Sequence, residues 1–413
     1  MTAVIVFAGV SAALHVGKLA PSIPVLQQAL GISLVQAGFL LSAVQMAGMS
    51  LGLLIGLGAE SLGLRRTVLA GLAVLAGASL AGGFVQGIEA LMALRALEGL
   101  GFLLTVMPGP SLIRRHSEQA QINARMGWWG TYMPTGNALA LLIGPFLLSS
   151  LHWPAWWWLL GAVSVLAWLA VFYTLPADPP AARASLPAKG PAPVGGASAA
   201  RADSAGQAGD TWAMRLRHTL AAPGPWLVSL CFAVYAAQWT AIIGFLPTIY
   251  AQSGLRGLAV SVMTALVAWI NVLGNVASGR LLGRGWQAAR LLMVGYGCMA
   301  LGSALAFVEI GGDHLPVPLQ FAGVLLFSAV GGLIPGTLFA LAVRLAPVRG
   351  TVSATVGYMQ QWSSLGQFAG PPLVAWVASL AGGWGLTWLV TASLSALGLC
   401  FAAVVNALGR PKP

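Results

Sequence analysis

Charge is scarce in this chain. Only 7% of its 413 residues are Asp, Glu, Lys or Arg, and nine of those are acids. Soluble domains carry about 25% charged residues. A chain this poor in charge cannot cover a water-facing surface, which excludes a soluble enzyme, a secreted domain and a disordered chain. Cysteine is scarce as well. Cys231, Cys298 and Cys400 stand far apart in apolar runs, with neither metal-ligand spacing nor a disulfide framework. They read as small apolar packers, and no metal or cofactor is expected. No G-x-x-x-x-G-K-[ST] phosphate loop occurs, and the five histidines are scattered. ATP-driven transport by this chain alone and a membrane enzyme are therefore set aside.

What the chain does have is long apolar runs. A spanning helix needs about 20 apolar residues. Twelve runs qualify: 3–25, 34–58, 67–87, 90–113, 124–149, 156–175, 225–250, 258–281, 291–310, 318–343, 351–379 and 386–407. The first is read as a span, not a cleaved signal, because residues 1–10 hold no basic residue and the run continues past Lys18. Only helices and closed barrels satisfy their backbone in lipid, and these runs are too long for barrel strands. The expected fold is an all-α membrane protein of twelve transmembrane helices.

The basic residues give an orientation. With the N-terminus inside, Arg65, Arg66, Arg114, Arg115, Arg125, Arg280, Arg284, Arg290, Arg344 and Arg349 all fall on inner connections, and Arg256 falls outside. The net charge of +11 is thus topology, and no nucleic-acid partner is expected. Both termini are expected to be cytoplasmic, in a bacterial inner membrane. Tryptophans at Trp153–Trp158, Trp384 and Trp388 suit an outer interface belt.

Residues 176–210 change character, being mostly Pro, Ala, Gly and Ser. Such a stretch is expected to be a flexible linker, followed at 211–222 by a short basic helix on the membrane face. The chain divides into a six-helix unit (1–175), a linker with its helix (176–223) and a second six-helix unit (224–413). The units echo one another. Gly127, Gly136 and Gly144-Pro145 recur as Gly357, Gly366 and Gly370-Pro371, the mark of an internal duplication.

Several motifs carry a family resemblance. Between spans 2 and 3 stands Gly56-Leu-Gly-Ala-Glu60-Ser-Leu-Gly63-Leu-Arg65-Arg66, with a weaker second copy at Gly279-Arg280-Leu-Leu-Gly283-Arg284. Span 4 holds Arg95-Ala-Leu-Glu98-Gly99-Leu-Gly101. With these, the chain resembles the major facilitator superfamily of secondary transporters. Lys18-x-x-Pro21-x-x-Pro24 and Pro108-Gly109-Pro110 are distantly similar to its bacterial cyanate/nitroimidazole transporter group. Span 5 only partly matches the antiporter glycine pattern, since Ala140 replaces one glycine. The resemblance implies two pseudo-symmetric halves, alternating access, and an inner gate latch at Gly56, Glu60, Gly63, Arg65, Arg66, Gly279, Arg280 and Arg284.

Ionisable side chains inside lipid are costly and normally face a cavity or a partner. At 1.5 Å per residue, Lys18, Arg95 and Glu98 lie about 10, 8 and 12 Å below the outer surface, in one layer. The resemblance implies that spans 1 and 4 line the cavity, so these charges and His15 are expected to share a water-accessible space. Lys18 and Arg95 would attract an anionic solute and Glu98 would carry the coupling proton. A structural Arg95–Glu98 pair with Lys18 snorkelling outward is the other reading. The second half offers only amides and hydroxyls deep in its spans. Gln238 and Trp239 in span 7 and Gln361 in span 11 are the substrate candidates there, with Tyr132 and Asn137 in span 5. Thr240, Asn271, Asn275, Gln360 and Gln367 are read as helix-packing groups.

The expected function is secondary active transport of a small, anionic organic solute with protons, by a monomer, with uptake favoured. A proton-coupled efflux antiporter is the alternative, and a non-transporting scaffold or sensor a more distant one.

Overall fold

Backbone groups in hydrocarbon find no water, and the chain closes them into helices. The computed structural model describes all residues except 53–54, 56–62, 119–124, 126–127, 130, 179–211, 256, 311–312, 348–351 and 409–413. The first half contains α1 (Thr2–Gly17), α2 (Leu19–Leu30), α3 (Leu34–Ala43), α4 (Met46–Gly52), α5 (Leu64–Gly82), α6 (Ile88–Val106), α7 (Gly109–Arg115), α8 (Tyr132–Ser150) and α9 (Trp153–Thr174). The second contains α10 (Trp212–Ala221), α11 (Pro223–Gln252), α12 (Leu258–Gly283), α13 (Ala288–Phe307), α14 (Val317–Gly331), α15 (Leu333–Arg344), α16 (Val352–Ala381) and α17 (Thr387–Leu408). A two-residue antiparallel ladder, β1 (Glu309–Ile310) with β2 (Asp313–His314), lies between α13 and α14.

Among the described residues, ten straight or broken helices are long and apolar enough to cross a bilayer, and the bent pair α3–α4 makes an eleventh. The 30-residue α16 completes the twelve passes; its glutamines make it more polar than the rest. The first pass runs to Leu30, five residues beyond its expected end at 25. Expected span 5 begins at 124, outside the described residues, and its described helix begins at Tyr132. The short basic helix is present as α10, while residues 179–211 of the expected linker lie outside the description.

Four passes are interrupted, the tenth pass at Gly332 between α14 and α15. Pro21 has no N–H to give the Gly17 carbonyl, and its ring crowds the preceding turn. The first pass therefore breaks at Lys18, between α1 and α2. The Lys18 carbonyl is satisfied instead by Ser22 Oγ at 2.7 Å and Trp156 Nε1 at 3.2 Å. The second pass bends by 41° between α3 and α4, at Val44 and Gln45. The fourth breaks before Pro108, between α6 and α7.

The halves meet along three seams: α16 beside α3, α12 beside α8, and α11 beside α2. The larger apolar core runs from Leu19, Ile23, Leu26 and Leu41 into Phe245, Leu246, Ile249 and Tyr250, so it is shared by both halves at the end holding the α2–α3 turn. A second core (Ile5, Ala8, Val68, Leu72, Ile113, Val171) belongs to the first half alone, at the end holding Thr2. We call these the far and near ends.

Glycines of the span 4 motif permit the tight packing of α6. A Cβ on Gly101 would lie 2.8 Å from the Gly71 carbonyl oxygen and from the Leu75 nitrogen, and one on Gly99 would strike the Val44 carbonyl. Overpacking of this kind costs about 1–3 kcal/mol. Gly101→Ala is expected to lower the melting temperature in detergent, whereas Gly77→Ala, with open space around it, should leave it nearly unchanged. Equal melting of the two variants would refute this account of the motif.

Candidate functional site

The first site is an ion cluster inside the first half. Lys18 Nζ, at the α1–α2 break, pairs with Glu98 Oε1. Arg95 Nη1 pairs with Glu98 Oε2 at 2.5 Å, one turn away on α6. Lys18 also donates to Ser79 Oγ on α5 at 3.0 Å and stands 4.7 Å from the Trp157 ring centroid. Arg95 Nη1 donates to the His15 carbonyl at 2.7 Å, and Arg95 Nε to the Leu40 carbonyl at 3.4 Å. The His15 ring lies between Glu98 Oε1, 3.5 Å from Nδ1, and Ser164 Oγ, 2.7 Å from Nε2. The expected layer of charges is therefore real, and the i,i+3 pair forms.

Two expectations change. Lys18 does not snorkel, since its ammonium is held by Glu98. Nor do the charges face a water-accessible space: His15, Lys18 and Arg95 are 0% exposed and Glu98 1%. Ser79, Trp157 and Ser164 close over them. Glu98 pairs with both cations and the bundle packs around the three, leaving Arg95 Nη2 buried without a hydrogen-bond partner.

The second site is a pocket between the halves, with about 470 Å³ of open space including its mouth. Its wall is built from two of the interrupted passes: Val16, Gly17 and Ala20 beside the Lys18 break, Leu41 and Gln45 at the α3–α4 bend. Met133, Asn137 and Leu141 of α8, Trp239, Thr240, Ile243 and Gly244 of α11, and Gln367 of α16 complete it. Among the described residues no charged side chain lines it. Gln45 Nε2 donates across the halves to Gln367 Oε1 at 3.0 Å. Asn137 Oδ1 and Thr240 Oγ1 are buried without a hydrogen-bond partner.

The sequence candidates divide accordingly. Asn137 and Trp239 reach the pocket, although the Trp239 indole donates to Ser328 Oγ at 3.2 Å. Gln238 does not: it donates to the Val234 carbonyl and accepts from Ser395 Oγ at 3.0 Å, a helix-packing role set by its position one residue round α11. Gln361 donates to the Met49 carbonyl at 2.7 Å and ties α16 to α4. Tyr132 packs on Trp129, ring centroids 4.6 Å apart, away from the pocket. His15, Lys18 and Arg95 sit behind the wall. Gln45, like Gln238 a lone amide in an apolar span, is a further pocket residue. Gln367, read as a packing group, is also a pocket residue.

At the near end, Gly56 and Glu60 of the loop motif lie outside the described residues. Gly63 adopts φ +92°, a conformation suited to glycine, and starts α5. The backbone N–H groups of Arg65 and Arg66 donate to the two carboxylate oxygens of Asp178, at 3.2 and 3.0 Å. Arg115 Nη1 lies 3.6 Å from the same carboxylate. An acid at a helix N-terminus is favourable, and this one, assigned to the linker by composition, was missed. The Arg65 guanidinium donates to the Phe172 carbonyl at 2.6 Å. Gly279, Arg280 and Arg284 are exposed at the near end of α12.

The sequence pattern described as Major Facilitator Superfamily matches residues 3–365. Monocarboxylate transporter 11 of Homo sapiens is 26% identical over 328 residues, covering 73% of this chain and 60% of that protein. The chain thus spans less than two thirds of that relative's length. Among solved structures, the nucleoside transporter NupG superposes with a TM-score of 0.75 at 14% identity, over 98% of this chain and 99% of that one. A D-xylose-proton symporter gives 0.72 at 15%, over 97% and 96%. A bacterial homologue of the human lysosomal transporter Spinster, inward-facing and occupied, gives 0.74 at 13%, over 100% and 98%.

The ion cluster makes an ordered stability prediction. Lys18→Met leaves Arg95 and Glu98 balanced one to one. Glu98→Gln leaves two buried cations without an acid, and stripping a buried pair of one partner costs about 3–5 kcal/mol. Melting in detergent should fall far more for Glu98→Gln than for Lys18→Met; the reverse order would contradict the charge balance described here.

Proposed function

The chain belongs to the Major Facilitator Superfamily, and on that premise we propose that this membrane transporter carries a small monocarboxylate together with a proton. Uptake is its working direction, in a bacterial inner membrane with both termini cytoplasmic, and it works as a monomer of two units, 1–175 and 224–413, joined by 176–223.

One observation carries the proposal. Lys18 stands between pocket-wall residues Gly17 and Ala20, and its ammonium is held just behind that wall by Glu98. With Glu98 ionised, two cations face one acid, so a net positive charge backs a pocket whose own lining is neutral. Inside a low-dielectric interior such a charge acts over several ångströms. It favours a solute with one negative charge. Asn137, Thr240, Gln45 and Gln367 supply hydrogen bonds, while Met133, Leu141, Trp239 and Ile243 suit a short apolar body. A solute of that description is what the name of the human relative denotes.

The coupling follows from charge. A proton on Glu98 loosens its hold on Lys18 and Arg95 and raises the net positive charge behind the pocket. The anion is then bound more strongly, and anion and proton cross as an electroneutral pair. The pocket opens to one side at a time as the halves rock about the α3–α16 and α8–α12 seams.

Purified protein in proteoliposomes should accumulate a labelled short-chain monocarboxylate under an inward proton gradient, and should not accumulate the matching amide. Glu98→Gln should abolish gradient-driven accumulation while solute exchange at equal pH persists in the folded fraction. Equal handling of acid and amide would remove the anion from the proposal, and solute leaving against an inward proton gradient would turn it into efflux.

A further inference from the structure

We propose that His15 passes the coupling proton from Glu98 to a hydroxyl pair, Ser164 and Ser11, and so toward the near end of the bundle. The inference rests on the reading of Glu98 as the coupling carboxylate and adds the route by which its proton leaves.

The geometry is a polar file in an apolar interior, hydrogen-bonded from His15 to Ser11 and joined to Glu98 by an ion-pair contact. Glu98 Oε1 lies 3.5 Å from His15 Nδ1. His15 Nε2 lies 2.7 Å from Ser164 Oγ. Ser164 Oγ lies 3.1 Å from Ser11 Oγ. These atoms belong to α6, α1, α9 and α1 again, and all four side chains are at most 1% exposed. Ser11 is one helical turn nearer Thr2 than His15, about 6 Å along the axis. The file therefore leads from the ion cluster toward the end where the first-half core is separate from the second half. Ser79, the other hydroxyl at the cluster, leads nowhere: it accepts from Lys18 and donates to the Trp157 carbonyl.

An imidazole is suited to this position because it can bind a proton on one nitrogen while releasing one from the other. With Glu98 protonated, its O–H bond breaks as an N–H bond forms at His15 Nδ1. The Nε2–H proton moves to Ser164 Oγ and the Ser164 proton to Ser11 Oγ; Ser11 is itself 0% exposed, so its proton passes to water only once the near end of the first half has opened. One proton leaves the carboxylate and one reaches water; no bond between heavy atoms changes. The groups facing the ring fix the direction. Lys18 Nζ, 3.5 Å from Nδ1, and Arg95 Nη1, on the His15 carbonyl, both flank the carboxylate. Once the proton has left, these two cations hold Glu98 ionised and oppose its return.

The test uses proteoliposomes loaded with the pH dye pyranine, comparing wild type, His15→Gln, Ser164→Ala and Glu98→Gln. In wild type, solute uptake under an inward proton gradient should acidify the lumen. Proton transfer by a positioned group contributes about 10²–10⁴ in rate. His15→Gln should therefore slow acidification and gradient-driven uptake by at least about tenfold, with solute exchange at equal pH persisting. Ser164→Ala, which removes one hydroxyl and leaves the ion cluster intact, should slow the same two readouts and spare exchange. Transfer in D₂O should slow wild type more than either variant. Wild-type acidification by both variants overturns the relay, as does a proportionate loss of exchange and uptake in both, which marks a packing role. Glu98→Gln separates the two levels: if it still accumulates solute with the gradient, the coupling reading fails; if it uncouples while His15→Gln does not, only the relay fails.

Discussion

A carboxylate between two cations, sealed from solvent, is the constraint around which the first half is arranged. None of the three charges is tolerable there alone. Together they dictate their surroundings: a hydroxyl for the spare ammonium proton, an indole face beside it, and backbone carbonyls for the guanidinium. The break that Pro21 forces in the first pass is what lets Lys18 stand at a helix junction, with its ammonium turned into the bundle. The same break presents backbone and small side chains to the pocket. One local feature thus serves the charged interior and the solute wall at once.

The molecule separates charge from contact. The ion cluster is enclosed by the first half, and among the described residues everything that lines the pocket is neutral and drawn from both halves. Only Val16, Gly17 and Ala20 of the first pass stand between that pocket and the cluster. The shared core at the far end and the separate core at the near end describe a molecule whose halves are clasped at one mouth.

Much of this was legible in the sequence. Twelve apolar runs marked the passes because lipid imposes length and polarity with little freedom. The meeting of Lys18, Arg95 and Glu98 followed from helical rise, which puts all three at one level, together with the family resemblance, which implies that spans 1 and 4 line one cavity. Their enclosure did not follow. Exposure depends on which neighbours close over a side chain, and Ser79, Trp157 and Ser164 come from passes distant in sequence. Direction around a helix axis was the other gap. Gln238 and Trp239 are adjacent, yet one packs against Ser395 and the other faces the pocket. Asp178 was hidden by composition: in a stretch rich in proline and alanine, nothing marked it as the acid that caps α5.

The seam between α3–α4 and α16 carries glutamines where ion pairs could have stood. Gln45 meets Gln367, and Gln361 meets the Met49 carbonyl. Gln360, Ser364 and Gln367 recur at intervals of three or four along α16, so a sliding amide leaves one partner as it reaches the next. Such a surface behaves as a lubricated bearing: the two blocks can change register with hydrogen bonds exchanged in passing and no charge ever laid bare to hydrocarbon.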